Sequence, residues 1–169
     1  MVKVKGNKMN IRKEEERDFE EIKKINDISF GGEFEGKLVA NLRAGKNFIL
    51  SLVAEKDGKI IGHIMYSRIK IGGIDSTALA PVCVIPEYQN MGIGSRLIEK
   101  SLEMLKNMGE KSVIVLGHDK YYPKFGFETA SKYGIKCPYD VPDEAFMALE
   151  LEKDSLKSGM VEYGEEFSM

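Results

Sequence analysis

Apolar residues recur at near-helical spacing at Phe19, Ile22 and Ile25 beneath a charged surface. The pattern predicts a first helix over residues 17–30, stopped by the pair Gly31-Gly32. A short strand precedes it at 10–13, and a second helical piece follows over 33–43. Residues 48–55 and 59–71 read as two strands joined across Lys56-Asp57-Gly58, where Asp-Gly is a hairpin signal. A turn at Gly72-Gly73 leads into a further strand-like run over 77–85. At roughly 100° per residue, Ile93, Leu97, Ile98, Leu102, Met104, Leu105 and Met108 share one half of a helical wheel. Arg96, Glu99, Lys100, Glu103 and Lys106 share the other half, which predicts a helix over residues 92–108 with one face on a sheet. A short apolar strand at 113–116 comes next. Irregular strands follow Gly126 and end with Met147, Leu149 and Leu151 alternating with Ala148, Glu150 and Glu152. Early helices, central hairpins and one strand-helix-strand crossover predict an α/β (α+β) fold: a mixed, mostly antiparallel sheet flanked by helices.

Composition narrows the class. The 169 residues suit one domain and one core, with residues 1–8 expected to be a flexible leader and 153–169 a C-terminal tail. Lys3, Lys5, Gly6 and Asn7 lie in that leader, and Met9 is a second candidate start. Hydrophobic content of 43% and charged content of 31% are ordinary for a soluble globular chain. Twenty-five Lys and Arg against 27 Asp and Glu give a net charge of -2, without the basic excess of a nucleic-acid binder. No run of apolar residues is long enough to span a bilayer and no apolar leader follows the first lysines, so a cytoplasmic location is expected. The two cysteines, Cys83 and Cys137, lack metal-type spacing and are expected to be free thiols, and no metal site is expected.

The chemistry is concentrated in residues 82–100, VCVIPEYQNMGIGSRLIEK. A β-branched run ends at a proline and a glycine pair then opens the long helix, an arrangement in which backbone N–H groups face an anion. A P-loop needs Lys and then Ser or Thr after its last glycine, whereas Gly94 is followed by Ser95 and Arg96. The dinucleotide fingerprint needs a third glycine where Leu97 stands. What remains is a turn preceded by Gln89 and Asn90 that cradles a pyrophosphate without metal, or else a Gly-x-Gly start that serves only tight strand-helix packing. Pro81 favours the first reading. It interrupts a strand-like run and cannot donate to a ladder, which leaves unpaired backbone groups beside the turn for an extended, amide-containing ligand.

These residues resemble the acetyl-coenzyme A motif of the GNAT superfamily of N-acetyltransferases, whose core is Gln/Arg-x-x-Gly-x-Gly/Ala after a strand ending near a proline. Tyr122-Pro123-Lys124-Phe125-Gly126-Phe127 is similar to the family's Tyr-x-x-x-Gly-Phe segment, and the element order fits across nearly the whole chain. The likeness is greatest to bacterial predicted N-acetyltransferases. It implies acetyl-coenzyme A as cosubstrate, direct acetyl transfer to a primary amine in a ternary complex, and a central strand pair that splays. It implies that Val82, Cys83 and Val84 offer backbone groups to the pantetheine and acetyl carbonyl. Asn90, Met91, Gly92, Ile93, Gly94 and Ser95, with Arg96 close by, would wrap the pyrophosphate through main-chain N–H groups, and Gln89 before them belongs to the same cofactor-binding stretch.

Transfer to an amine also needs proton traffic. A lysine-like amine is only about one part in a thousand neutral at pH 7, and the departing thiolate needs an acid. Tyr122, four residues before Gly126, is the candidate acid, against the reading that it is only a core aromatic. The base is open: the strand Val113-Ile114-Val115-Leu116 lacks the carboxylate many relatives place there. His118 at the strand end is one candidate, although a helix cap shared with Asp119 is the favoured reading of it. A water chain to Glu33 or Glu35 is another. Tyr121 either lines the thiol end or packs. His63 reads as a packed or hydrogen-bonded histidine and Cys83 as a buried thiol without an activating histidine. The acidic run from Glu14 to Glu21 favours the first helix N-terminus and solvent. Residues 30–43 and 133–144 are expected to shape the pocket of a small-molecule or peptide amine. A homodimer through the C-terminal strands or residues 159–167 is a further expectation. A non-catalytic coenzyme A-binding sensor is the competing function.

Overall fold

The computed structural model describes residues 9–169; the expected leader at 1–8 lies outside the described residues. The chain runs β1 (Met9–Lys13), α1 (Phe19–Phe30), α2 (Phe34–Ala44), β2 (Phe48–Lys56), β3 (Lys59–Ile71), β4 (Ile74–Val84), α3 (Ile93–Asn107), β5 (Ser112–Leu116), β6 (Glu128–Thr129), β7 (Ile135–Lys136), β8 (Phe146–Glu150) and β9 (Gly159–Glu162). Short 3-10 turns fill several connections, among them Pro86–Tyr88 and Tyr122–Phe125. The strand order is β1-β2-β3-β4-β5-β8-β6, antiparallel except where β4 runs parallel to β5. This is the mixed, mostly antiparallel sheet the pattern predicts.

The two faces are read from β3. Adding a Cβ at Gly62 would bring it to 3.1 Å from Leu97 on α3, while its neighbour His63 meets Asn26 on α1. Successive strand residues point to opposite faces, so α3 covers one side and α1 the other. On α3 the buried residues are Ile93, Leu97, Ile98, Ser101 and Leu105, the middle of the apolar stripe. Full burial of each large side chain stabilises the fold by roughly 1.5–3 kcal/mol. Leu102 and Met104 flank the stripe half-buried, and Met108, at the helix end, is 49% exposed.

The C-terminal segment folds back onto the body. β2 begins opposite Ser67, which leaves the end of β3 without a partner on that side. β9 takes the place, pairing Lys70 with Glu162 and Ile71 with Val161, and holds β7 on its other edge. Leu156 and Val161 are buried there in a second cluster with Ile69, Ile71, Ile114 and Phe146.

The sheet opens at its centre. β4 and β5 pair only from Thr77 with Val113 to Leu79 with Val115. Immediately afterwards Ala80 and Pro81 together oppose the single residue Met65 of β3, a bulge between the Ile64–Val82 and Tyr66–Leu79 pairs. A bulge bends its strand, and Pro81 has no N–H to offer a neighbour. From Ala80 onward β4 therefore diverges from β5, and no strand pairs with this edge among the described residues.

Candidate active site

The glycine turn sits where β4 hands over to α3. Val84 is followed by the 3-10 turn, and Gln89 Nε2 donates back to the Val84 carbonyl at 2.9 Å, fixing the turn's return path. Asn90 and Gly92 then take left-handed backbone conformations, φ 64° and 80°. Glycine adopts such angles without steric cost, which suits it to position 92. Among the described residues, none of the main-chain N–H groups from Asn90 to Ser95 meets a protein acceptor; the first helical bond of α3 runs from Arg96 N to Gly92 O. No acidic residue occupies the first turn of α3. The helix therefore presents a row of free donors and an uncompensated positive dipole end, the surroundings an anion requires.

A cavity of about 680 Å³ opens over this turn, lined by Val82, Cys83, Val84, Gln89, Asn90, Gly92, Ile93, Gly94 and Ser95, together with Ser29, Phe30, Tyr88, His118, Tyr121, Tyr122 and Lys124. Most of the sequence-derived candidates are thus brought together. Two are not among the lining residues. Met91 turns its side chain outward, 64% exposed, between lining neighbours. Arg96 lies on the outer face of α3 in a shallow groove with Asn10, Glu99 and Glu103. Its position on the polar half of the wheel accounts for this. Cys83 is buried, and burial pushes its thiol up to about 12, so it stays a protonated thiol at neutral pH.

A second cavity, about 500 Å³, occupies the gap between β4 and β5. Its walls are Leu79 to Val82 on one strand, Ile114 to Leu116 on the other, and Gly117, Leu38, Phe30, Phe34, Glu35, Tyr139, Tyr163 and Phe167 around them. The two cavities share Phe30, Val82, His118 and Tyr122. Whatever lies along β4 over the glycine turn meets at these residues whatever enters from the gap.

Tyr122 is the most buried of the aromatic residues at this junction, 6% exposed, with its ring edge-on to Tyr121 and Phe127. Its ring lies so close to the end of β5 that a Cβ on Gly117 would approach Tyr122 Cε2 to 2.5 Å. Its hydroxyl makes no hydrogen bond to protein among the described residues. Burial first, and Tyr121 second, push the phenol up to about 12. His118 is exposed at the mouth. The capping role expected for it with Asp119 is not found: the residue before the 3-10 turn Tyr122–Phe125 is Tyr121, and no side-chain cap is made. Among the described residues only the His118 carbonyl is engaged, accepting from Tyr121 N and Tyr122 N, and the imidazole has no partner at the cavities' meeting point. Tyr121 packs over the helix start, its hydroxyl 3.0 Å from Ser95 Oγ, and Lys124 Nζ lies 4.4 Å from the centre of its ring. Lys124, a cation beside the turn, and Tyr88 are lining residues that the sequence reading did not single out. Lys124 was legible as part of the Tyr122 to Phe127 segment; Tyr163 and Phe167 had no local signal.

His63 lies outside both cavities. Asn26 Nδ2 donates to the Ile22 carbonyl and to His63 Nδ1, at 3.0 and 3.1 Å. The ring proton therefore sits on Nε2 and goes to Ser51 Oγ at 2.9 Å, whose hydroxyl donates to Glu14 Oε1 at 2.7 Å. Arg43 closes the chain with two bonds to Glu14, at 2.7 and 2.8 Å. This is a buried structural network.

Comparison with known proteins decides the family. A profile of the Acetyltransferase (GNAT) family matches residues 10–127. The chain belongs to that family. It is 43% identical over 134 residues to the uncharacterized N-acetyltransferase YjhQ of Escherichia coli K12, covering 75% of this chain and 74% of that one. To the uncharacterized N-acetyltransferase YhbS of the same organism it is 34% identical over 145 residues, covering 83% and 87%. The crystal structure of E. coli YhbS in complex with CoA superposes with a TM-score of 0.92 at 32% identity, over 96% of this chain and 93% of that one. A GNAT family acetyltransferase from Brucella melitensis in complex with acetyl-CoA gives 0.82 at 35% identity, over 95% and 99%. The chain is an acyltransferase of this family, and both of these structural neighbours hold coenzyme A or its acetyl thioester. Among the described residues no group of three or more His, Cys, Asp or Glu side chains is placed to hold a metal ion. No helix among them is long and apolar enough to cross a membrane.

Proposed function

We propose that this acyltransferase moves an acetyl group from acetyl-coenzyme A to a primary amine by direct attack while both are bound, within one domain that uses the whole described chain. The observation that carries the reading is the meeting of the two cavities at Tyr122, His118, Val82 and Phe30, beside a strand edge that no strand pairs among the described residues. The free N–H groups from Asn90 to Ser95 fit a diphosphate, and Lys124 adds a cation beside it. The open edge of Val82 to Val84 fits an extended amide chain as a substitute strand, and its donors stabilise negative charge on a carbonyl oxygen.

The thioester supplies an activated acyl carbon and a sulfur leaving group. His118 takes the proton that makes the incoming ammonium a neutral amine. The amine nitrogen bonds to the acyl carbon, the carbon–sulfur bond breaks, and one proton must pass from nitrogen to sulfur. Tyr122 carries it. A phenol at about 12 facing a thiolate near 8.5 is mismatched by roughly three and a half pKa units, or about 5 kcal/mol. The phenol therefore gives its proton to sulfur only as it receives one from the nitrogen, so no free phenolate accumulates.

Calorimetry with acetyl-coenzyme A and a thiol-release assay with an amine panel test the proposal. Tyr122→Phe is expected to lower kcat by about 10²–10⁴-fold, the usual worth of a positioned acid, with cofactor affinity unchanged. Unchanged turnover would remove Tyr122 from the mechanism. Cofactor binding with no thiol release from any amine would leave a binding module instead of a transferase.

A further inference from the structure

The cavity between β4 and β5 is chemically one-sided. Phe30, Phe34, Tyr139, Tyr163 and Phe167 surround it, and among the described residues no Lys, Arg or Asp lines it. Tyr139 stacks on Tyr163 with ring centres 5.4 Å apart, and Tyr163 meets Phe167 at 4.9 Å, so the far wall is a continuous aromatic surface. Phe30, Phe34 and Tyr139 are 43%, 47% and 48% exposed at the mouth. Large apolar rings left in water around a concavity mark a surface that something apolar covers.

One fixed charge faces this surface. Glu35, half-buried at the start of α2, lines the cavity, and among the described residues no cation or donor pairs with its carboxylate. Its neighbour Glu33 is different, with Lys23 Nζ at 3.7 Å. A lone carboxylate in a cavity walled by aromatic rings matches a molecule with one ammonium end and a flat apolar body.

The same wall excludes other amines. An amino acid would bring a carboxylate into a cavity that no Lys or Arg lines among the described residues and where the Glu35 carboxylate repels it. A polyamine would bring a second ammonium for which no second carboxylate lines the cavity among the described residues.

We propose that the acceptor is a small primary monoamine on an aromatic or similarly flat apolar body, with Glu35 receiving its ammonium and the rings of Tyr139, Tyr163 and Phe167 its body. This rests on the acetyl-transfer reading above. The experiment compares 2-phenylethylamine and tryptamine with L-phenylalanine, spermidine and a short peptide bearing a free amino terminus, by thiol release from acetyl-coenzyme A. Calorimetry with coenzyme A alone runs in parallel. 2-Phenylethylamine differs from L-phenylalanine only by the carboxylate and is expected to exceed it at least about tenfold in kcat/KM, as expected when one partner must bury an unpaired charge. Glu35→Gln is expected to raise KM for 2-phenylethylamine about tenfold or more, with coenzyme A affinity unaltered. L-phenylalanine, spermidine or the peptide as the better substrate, or a Glu35→Gln enzyme with unchanged KM, overturns the proposal while leaving acetyl transfer standing. Failure of coenzyme A to bind would overturn the transfer reading itself.

Discussion

Lowering the pH of a urea-unfolding experiment from about 7.5 to 5 perturbs one buried group in this protein before any other. His63 is fully buried between β2, β4 and α1, and burial pushes its pKa from 6.5 down to about 4. The Glu14 carboxylate opposes that shift and Arg43 adds to it, but desolvation is the larger effect. In the unfolded chain the imidazole takes up its proton below about 6.5, whereas the folded protein refuses it until about 4. The stability this contributes is complete above the unfolded value and is lost as pH falls through the folded one. Two and a half pKa units correspond to about 3 kcal/mol in all, of which about 2 kcal/mol are lost by pH 5. With a urea slope of roughly 2 kcal/mol per molar, the midpoint falls by about 1 M. Carboxylates do not confuse the window. Glu14, despite the opposing effect of its burial, is held below the usual range by Arg43 and Ser51, and Asp18 is held low by Arg12. Their contributions start to be lost only as the unfolded carboxylates protonate at about 4, so down to pH 5 they change stability by no more than a few tenths of a kcal/mol. A His63→Gln protein, weaker at every pH, is expected to show a nearly flat profile from about 7.5 to 5. A wild-type midpoint that moves by less than about 0.2 M, or a variant with the wild-type slope, would refute the burial argument. The consequence reaches the site, because His63 is the register partner of Cys83 on the cofactor strand.

Two further substitutions separate positioning from stability. Gly117→Ala puts a methyl group where Tyr122 Cε2 already lies 2.5 Å away, so the ring must move by about 1 Å; kcat is expected to fall about 10²-fold with little change in coenzyme A affinity by calorimetry. Tyr66→Phe removes the 2.7 Å bond between Tyr66 Oη and Ser101 Oγ, which joins β3 to α3, yet leaves Ser101 donating to the Ile98 carbonyl; thermal or urea unfolding is expected to register a loss of about 1 kcal/mol with activity intact.

Much of this protein was determined by local spacing alone. The 3.6-residue stripe of α3, the alternation and turn signals of β2 and β3, and the glycine turn were legible because each depends on residues close together in the chain. Pro81 also announced its effect locally, since a residue without an N–H is confined to strand edges, strand starts or bulges, and here it lies in a bulge. The wheel even placed Arg96 on the polar half, away from the cavity that the family resemblance assigned to it. Tertiary structure decided the remainder. That the His118 side chain is free at a junction instead of capping a turn depends on how β5 ends against Tyr122. That Glu35, Tyr139, Tyr163 and Phe167 face one another depends on β9 filling the edge of β3 that β2 leaves open. Those residues share no period and no motif. Periodicity records which face a side chain takes within its own element, whereas a cavity is assembled by the closure of distant segments, and nothing in the local sequence encodes that meeting.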